Sequence, residues 1–439
     1  MRSGVNAGSL GGVICAAMLG AVMLVAAPGA WAYGYFDVGL GSAVFQGSPR
    51  GGGMGEVTLL SEDSPLAAAL NPALLGKFAA PRFALSYRLA NVDETWAFPI
   101  HDSFDAFLGY NDYSYNTEVY SDFAGGLASG TLGRAFDLSF AVAIVPAYDF
   151  RYDYSEEIRD RNSSAQPPDR IIANNFVEGT GEIRSLSFAV AKPIGAGLSL
   201  GAGLDYLYGD RSLDARIEFV DESKIPWESA SAETSDFFDA NDLTGMRLVL
   251  GAAYDLSPRF SFAATYKSEA ELDGEIAYRV GGPADVIGNP EALIKFPSSY
   301  GFGVSFRPRN EMPTVIEGNV ILTRWSEVPD PTGIGPESRD IYEWHIGVEH
   351  IFYNARPVRF GFFYKPSPRD RETGESAVTA GTGFDVVGLS VDVAGKIGWR
   401  EFRSPDLFRD DLFGAKLREG TDLVRETLLG ATVSVSKRF

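Results

Sequence analysis

Cysteine, histidine and basic charge are all scarce in this chain. The one cysteine, Cys15, lies in an apolar stretch behind Gly-Val-Ile rather than a lipobox, so lipidation is not expected. Beyond it no disulfide framework or thiolate metal site is available. Of the three histidines, His101 is near a loop. His345 and His350 have odd separation, so on one strand they face opposite sides and cannot share a metal. Lys and Arg number 38 against 58 Asp and Glu, a net charge of −20. That balance disfavours nucleic acid and anionic lipid as partners. Long apolar runs are also rare, with a single one near Arg2.

That run, "LGGVICAAMLGAVMLVAA", is followed by "PGAWA", where Ala30 and Ala32 make an A-x-A cleavage pattern. Residues 1–32 therefore read as a secretory signal peptide, with an uncleaved anchor as the alternative. The rest cannot be an acidic disordered chain, because 45% of the sequence is hydrophobic and 13% aromatic.

The apolar residues recur with a period of two. Over 136–153 one parity reads Phe136, Leu138, Phe140, Val142, Ile144, Pro146, Tyr148, Phe150 and Tyr152, and every charge falls on the other. The division recurs at 198–206, 300–307, 342–349, 358–365 and 389–400. A soluble sandwich also alternates. Large apolar side chains on one face, small residues on the other, Tyr and Trp near strand ends and the signal peptide favour strands crossing a bilayer on a tilt. Short turns such as 193–197, 256–259 and 353–357 alternate with long polar links such as 154–179, 210–242 and 401–426. Periplasmic turns and extracellular loops alternate in this way.

Fourteen strands are predicted, from 83–90, 103–111 and 136–153 through to 427–439. Residues 112–135 are too long for the turn required there, and a hairpin hidden in them raises the count to sixteen. The predicted fold is all-β: a fourteen-stranded antiparallel transmembrane β-barrel over 81–439, with residues 33–80 as a compact non-barrel segment. Phe439 becomes the outward aromatic of the closing strand, in line with Val433 and Val435, a feature that the barrel assembly machinery reads.

In the N-terminal segment, Gly51 to Gly55 form a glycine-rich turn, Ser64-Pro65 signals a short helix, and Asn71-Pro72 ends it. The order Gly-rich stretch, Asp63, Ala67 to Ala69, then Asn71-Pro72-Ala73-Leu74 resembles the N-terminal hatch of FadL-type outer-membrane transporters. "FPSSYGFGVSFRP" followed by "VIEGNVILTRWSEV" resembles that family's Pro-bounded strand and Trp-Ser strand end. The resemblance implies a hatch-plugged barrel in the outer membrane of a Gram-negative bacterium. It implies passage of long-chain fatty acids or aromatic hydrocarbons, amid outer-membrane lipid and lipopolysaccharide. A PorV-type relative with a similar hatch serves instead as a docking barrel for secretion, and a general porin is a third reading.

Catalysis and cofactors find little support. A Ser/His site around His345, Glu343 and Glu349 is outweighed by a solvated lumen wall, and "PRGGGMGE" lacks the Lys-Ser/Thr ending of a phosphate loop. The lumen parity carries Val145, Leu207, Val249, Ile321, Trp325 and Phe363. These either line a path for a hydrophobic ligand or pack against the hatch. Trp227, Phe237 and Phe238 are either an outer capture patch or the core of a long loop. Pro146 has no N–H for the ladder and a barrel offers no edge, so it requires a kink or bulge. By the resemblance, a kink in the third strand opens the wall sideways; the alternative is a bulge without consequence.

Overall fold

A computed structural model describes residues 41–45, 47–132, 137–159, 171–219, 233–279, 287–288, 294–328, 338–353, 355–370, 373–408, 413 and 420–439. The signal-peptide reading of 1–32 and the candidate Trp227 lie outside the described residues. The barrel strands are β1 (Arg82–His101), β2 (Phe107–Leu132), β3 (Leu138–Asp149, continued by Tyr152–Arg159), β4 (Ile171–Thr180, continued by Glu182–Gly195) and β5 (Leu198–Phe219). Then come β6 (Glu233–Asp255), β7 (Phe260–Lys267, continued by Ala270–Arg279), β8 (Ile294–Phe296, continued by Ser299–Phe306) and β9 (Thr314–Thr323). The last are β10 (Ile341–Ile351), β11 (Pro357–Pro366), β12 (Gly374–Val386), β13 (Leu389–Ser404) and β14 (Asp422–Arg438). Each pairs antiparallel with the next, and β1 pairs with β14 from Arg82↔Arg438 to Ala97↔Leu423. The result is a closed fourteen-stranded antiparallel barrel.

The segment 112–132 needs no hidden hairpin, because it is the body of β2, paired with β1 from Phe107 to Ala128. Strand extensions also occupy much of the long polar links, as in β3, β4 and β7. In these parts the alternation is reversed, with Tyr152, Tyr154, Ala173, Val177, Leu272 and Ile276 buried inside and polar residues such as Asp153, Asn174, Glu271 and Asp273 on the other face, so a search for an apolar outer belt does not reveal them.

Within the barrel wall, period two sorts the side chains as expected. Leu85, Leu127, Phe140, Phe302, Ile346 and Phe360 stand exposed on the outside, while Ser86, Ala141, Gly303 and Gly361 face inward. One stretch departs from the predicted parity. The register between β3 and β4 shifts between Pro146 and Tyr148, so Tyr148 and Phe150 turn inward and are buried. A residue inserted in one strand reverses the alternation beyond it.

The N-terminal segment ends its helix at Asn71 as expected, but that helix starts at Ala67 after Leu66 rather than at the Ser64-Pro65 signal, where the chain makes a turn, and a further helical turn stands at the glycine-rich stretch. α1 (Pro49–Gly52) and α2 (Ala67–Leu70) are short, and Asn71 both ends α2 and caps a 3-10 turn, Pro72–Lys77. Its side chain accepts the Ala73 N–H at 3.2 Å and donates to the Leu59 carbonyl at 2.8 Å. Pro72 at the first position needs no N–H partner. Leu66, Leu74 and Leu75 are buried, each burial stabilising by about 1.5–3 kcal/mol.

Candidate functional site

The segment from Ser48 to Phe78 sits against inward-facing residues of the barrel and is tied to them by polar contacts. Arg50 donates to Glu349 of β10 at 2.7 and 3.1 Å, and Glu349 also accepts from Arg359 of β11 at 2.7 Å. The Thr58 N–H reaches Asn319 Oδ1 at 3.0 Å, and the Gly55 N–H reaches Thr379 Oγ1 at 2.7 Å. Ser61 donates to Glu317 of β9, which also accepts the Leu60 N–H at 3.0 Å. Close approach to the wall depends on glycine on both sides: a Cβ at Gly361 would lie 2.0 Å from the Gly55 nitrogen, and one at Gly347 would lie 2.1 Å from the Met54 carbonyl oxygen.

Glu56 follows in the left-handed region (φ 62°), which a non-glycine residue occupies only when its surroundings hold it there. Lys396 of β13 does so from 3.1 Å, while also lying 3.4 Å from Glu375. Burial raises the Glu56 carboxyl above its ordinary value, and Lys396 works against that rise. Glu62 is raised by burial as well, opposed by hydrogen bonds from the Ser48 and Ser64 N–H groups.

Above this segment lies a cavity of about 190 Å³. Its apolar wall includes Phe45, Val145, Ile321, Trp325 and Phe363. Its polar wall includes Glu56, Arg247, Lys267, Glu343, His345 and Lys396. Arg247 is paired with the buried Asp205 at 2.9 Å, and His345 Nδ1 lies 2.9 Å from the Gly55 carbonyl oxygen. Lys267 Nζ has no hydrogen bond or ion pair among the described residues. No group of three or more His, Cys, Asp or Glu among the described residues is placed to hold a metal.

The cavity reaches the wall at Val145 and Pro146. There the pairing of β2 with β3 stops: Gly125↔Ile144 is its last rung toward the loop side. On the same edge of β3, Ser42 and Ala43 pair with Asp149 and Tyr148, and the Val44 N–H donates to the Ala147 carbonyl at 3.2 Å. Tyr148 stacks on Phe296 at 3.7 Å between ring centroids. The third strand therefore leaves the second and is capped from within by the N-terminal segment.

The structure thus gathers Val145, Pro146, Ile321, Trp325 and Phe363 around one cavity. Leu207 and Val249 are fully buried and do not line it; Leu207 packs in a cluster with Phe150, Ile183 and Phe238. Phe238 is buried in that cluster, under the Arg211 guanidinium at 4.6 Å, and Phe237 beside it is half-buried. Asn71, Pro72, Ala73 and Leu74 lie buried below the cavity, where Ser199 of β5 donates to the Ala73 carbonyl at 2.7 Å. Sequence reasoning did not single out Arg247, Lys267 or Arg50. Their inward parity within strands or their place in the glycine-rich turn was visible, but the partners are remote in sequence.

A family model described as BamG matches residues 12–367. No curated protein matches the chain. Among solved structures, a Pseudomonas aeruginosa FadL homologue superposes with a TM-score of 0.60 at 16% identity, covering 90% of this chain and 98% of that one. The Ralstonia pickettii toluene transporter TbuX gives 0.58 at 16% identity, covering 90% and 99%. The Pseudomonas putida toluene transporter TodX gives 0.59 at 15% identity, covering 90% and 99%. At these identities the likeness concerns the fold.

Proposed function

The chain belongs to the BamG family, and from that premise, with the cavity and the interrupted ladder, we propose that it is a passive outer-membrane transporter for hydrophobic small molecules. In this reading a signal peptide (1–32) directs export, residues 33–80 are a hatch, and 81–439 form the barrel, whose apolar outer belt lies in lipid. A solute enters the lumen from the loop side and rests in the cavity. It leaves sideways at Pro146 into the outer leaflet, since the hatch blocks the axial path. The observation that carries this is one adjacency: Val145 and Pro146 line the cavity and also stand where β3 parts from β2.

The chemistry of the walls narrows the solute. Trp325, Phe363 and Ile321 suit an apolar body, and Lys267 on the polar wall suits an anionic head. A long-chain fatty acid uses both walls, whereas an aromatic hydrocarbon uses only the first. The segment packed inside the lumen disfavours a general porin. The closing strand with Phe439 would be its contact with the assembly machinery. A photoreactive fatty acid added to the reconstituted barrel should label residues around Phe363 and Pro146. Labelling confined to the outer apolar belt would overturn the reading.

A further inference from the structure

Phe123, Pro146 and Arg184 lie in one row across three strands. Pro146 is the rung partner of Arg184 on β4, and carrying the β2–β3 register on from Gly125↔Ile144 by two residues sets Phe123 opposite Pro146. Proline has no N–H to offer the Phe123 carbonyl, and β3 has already turned away. A backbone carbonyl left without a donor at the depth of the apolar belt would be costly. Here a side chain supplies the donor. Arg184 Nη2 donates to the Phe123 carbonyl at 2.8 Å, and the guanidinium carbon lies 4.2 Å from the centroid of the Phe123 ring. The side chain thus crosses over Pro146 from the fourth strand to the second, and Glu182 holds its Nη1 at 3.0 Å.

Arg184 has outward parity, between Glu182 on the loop side and the apolar Leu186, Phe188 and Val190. A cation in that row requires a reason, because the face is covered by lipid. We propose that Arg184 is the latch of the lateral seam: it spans the interrupted row on the lipid side, holds β2 and β4 together across Pro146, and must let go of the Phe123 carbonyl for a solute to pass. An anionic head leaving the cavity competes with that carbonyl for the same guanidinium, so the residue couples opening to the kind of solute that leaves. The passage of solute rests on the function proposed above; the latch itself does not.

The two are tested separately. A single cysteine at Val145, which is buried and lines the cavity, reports seam opening when it reacts with a lipid-partitioned maleimide in phosphatidylcholine vesicles. Arg184→Met should accelerate that reaction at least fivefold, Arg184→Lys less, and Phe123→Leu, which keeps the carbonyl and removes the ring face, by an intermediate factor. Heat-modifiable gel mobility checks assembly, and if Arg184→Met fails to assemble, Phe123→Leu and Arg184→Lys carry the test. Unchanged labelling in assembled variants would overturn the latch. Faster labelling with fatty acid uptake unaltered would keep the latch and count against sideways transport.

Discussion

Ala43 pairs with Tyr148 on the edge of the third strand that the second strand abandons after Ile144. A segment from the start of the chain thereby satisfies backbone groups that a neighbouring strand would satisfy in an uninterrupted barrel. The interruption is thus supported from inside, which favours a built opening over a defect.

The hatch proposed above predicts the behaviour of a deletion. Removing residues 33–80 should raise single-channel conductance in planar bilayers roughly tenfold or more, as for a barrel of this size without its filling. An unchanged small conductance would contradict it.

The glycine contacts predict a subtler way to dislodge the same segment. Gly361→Val places a side chain where the Gly55 nitrogen lies 2.0 Å from an added Cβ, so it should displace the segment and raise conductance. Gly318 has no neighbour closer than 3.8 Å to an added Cβ, and Gly318→Ala should leave conductance unchanged. Equal effects of the two would mean that the close approach plays no part.

Trp325 and Phe363 predict a separation of uptake from assembly. Both are buried and both line the cavity. Replacing both with Asp should cut fatty acid uptake roughly tenfold or more, the cost of two charges set against an apolar solute, while heat-modifiable mobility stays normal. Loss of assembly would assign them to packing alone.

Much of this architecture was legible from the sequence because two solvents impose it. Lipid outside and small residues inside gave Leu85, Phe302 and Ile346 one parity, and the alternation of short and long connections gave fourteen strands. What stayed hidden has local physical causes. The stretch 112–132 is too mixed in polarity to read as one long strand. Tyr148 and Phe150 shared the outward parity until the shift at Pro146 turned them inward. Phe238 lies in the core of a loop-side cluster, a choice that composition left open. Pairs such as Arg50 with Glu349 join residues 299 apart in sequence, and no spacing rule connects them. Arg184 did carry a signal, a cation on the outward parity, whose meaning required the row it crosses.

Sideways exit at Pro146 requires the seam to open, so closing the seam should block uptake. With Cys15 replaced by Ser, cysteines introduced at Ser121 of β2 and Ala147 of β3 are bridged by a reducible bis-maleimide, and uptake of a radiolabelled long-chain fatty acid is measured before bridging, after bridging and after reduction. Uptake should fall at least several-fold on bridging and recover on reduction, with either single cysteine unaffected by the reagent. Undiminished uptake through the bridged barrel would contradict the account.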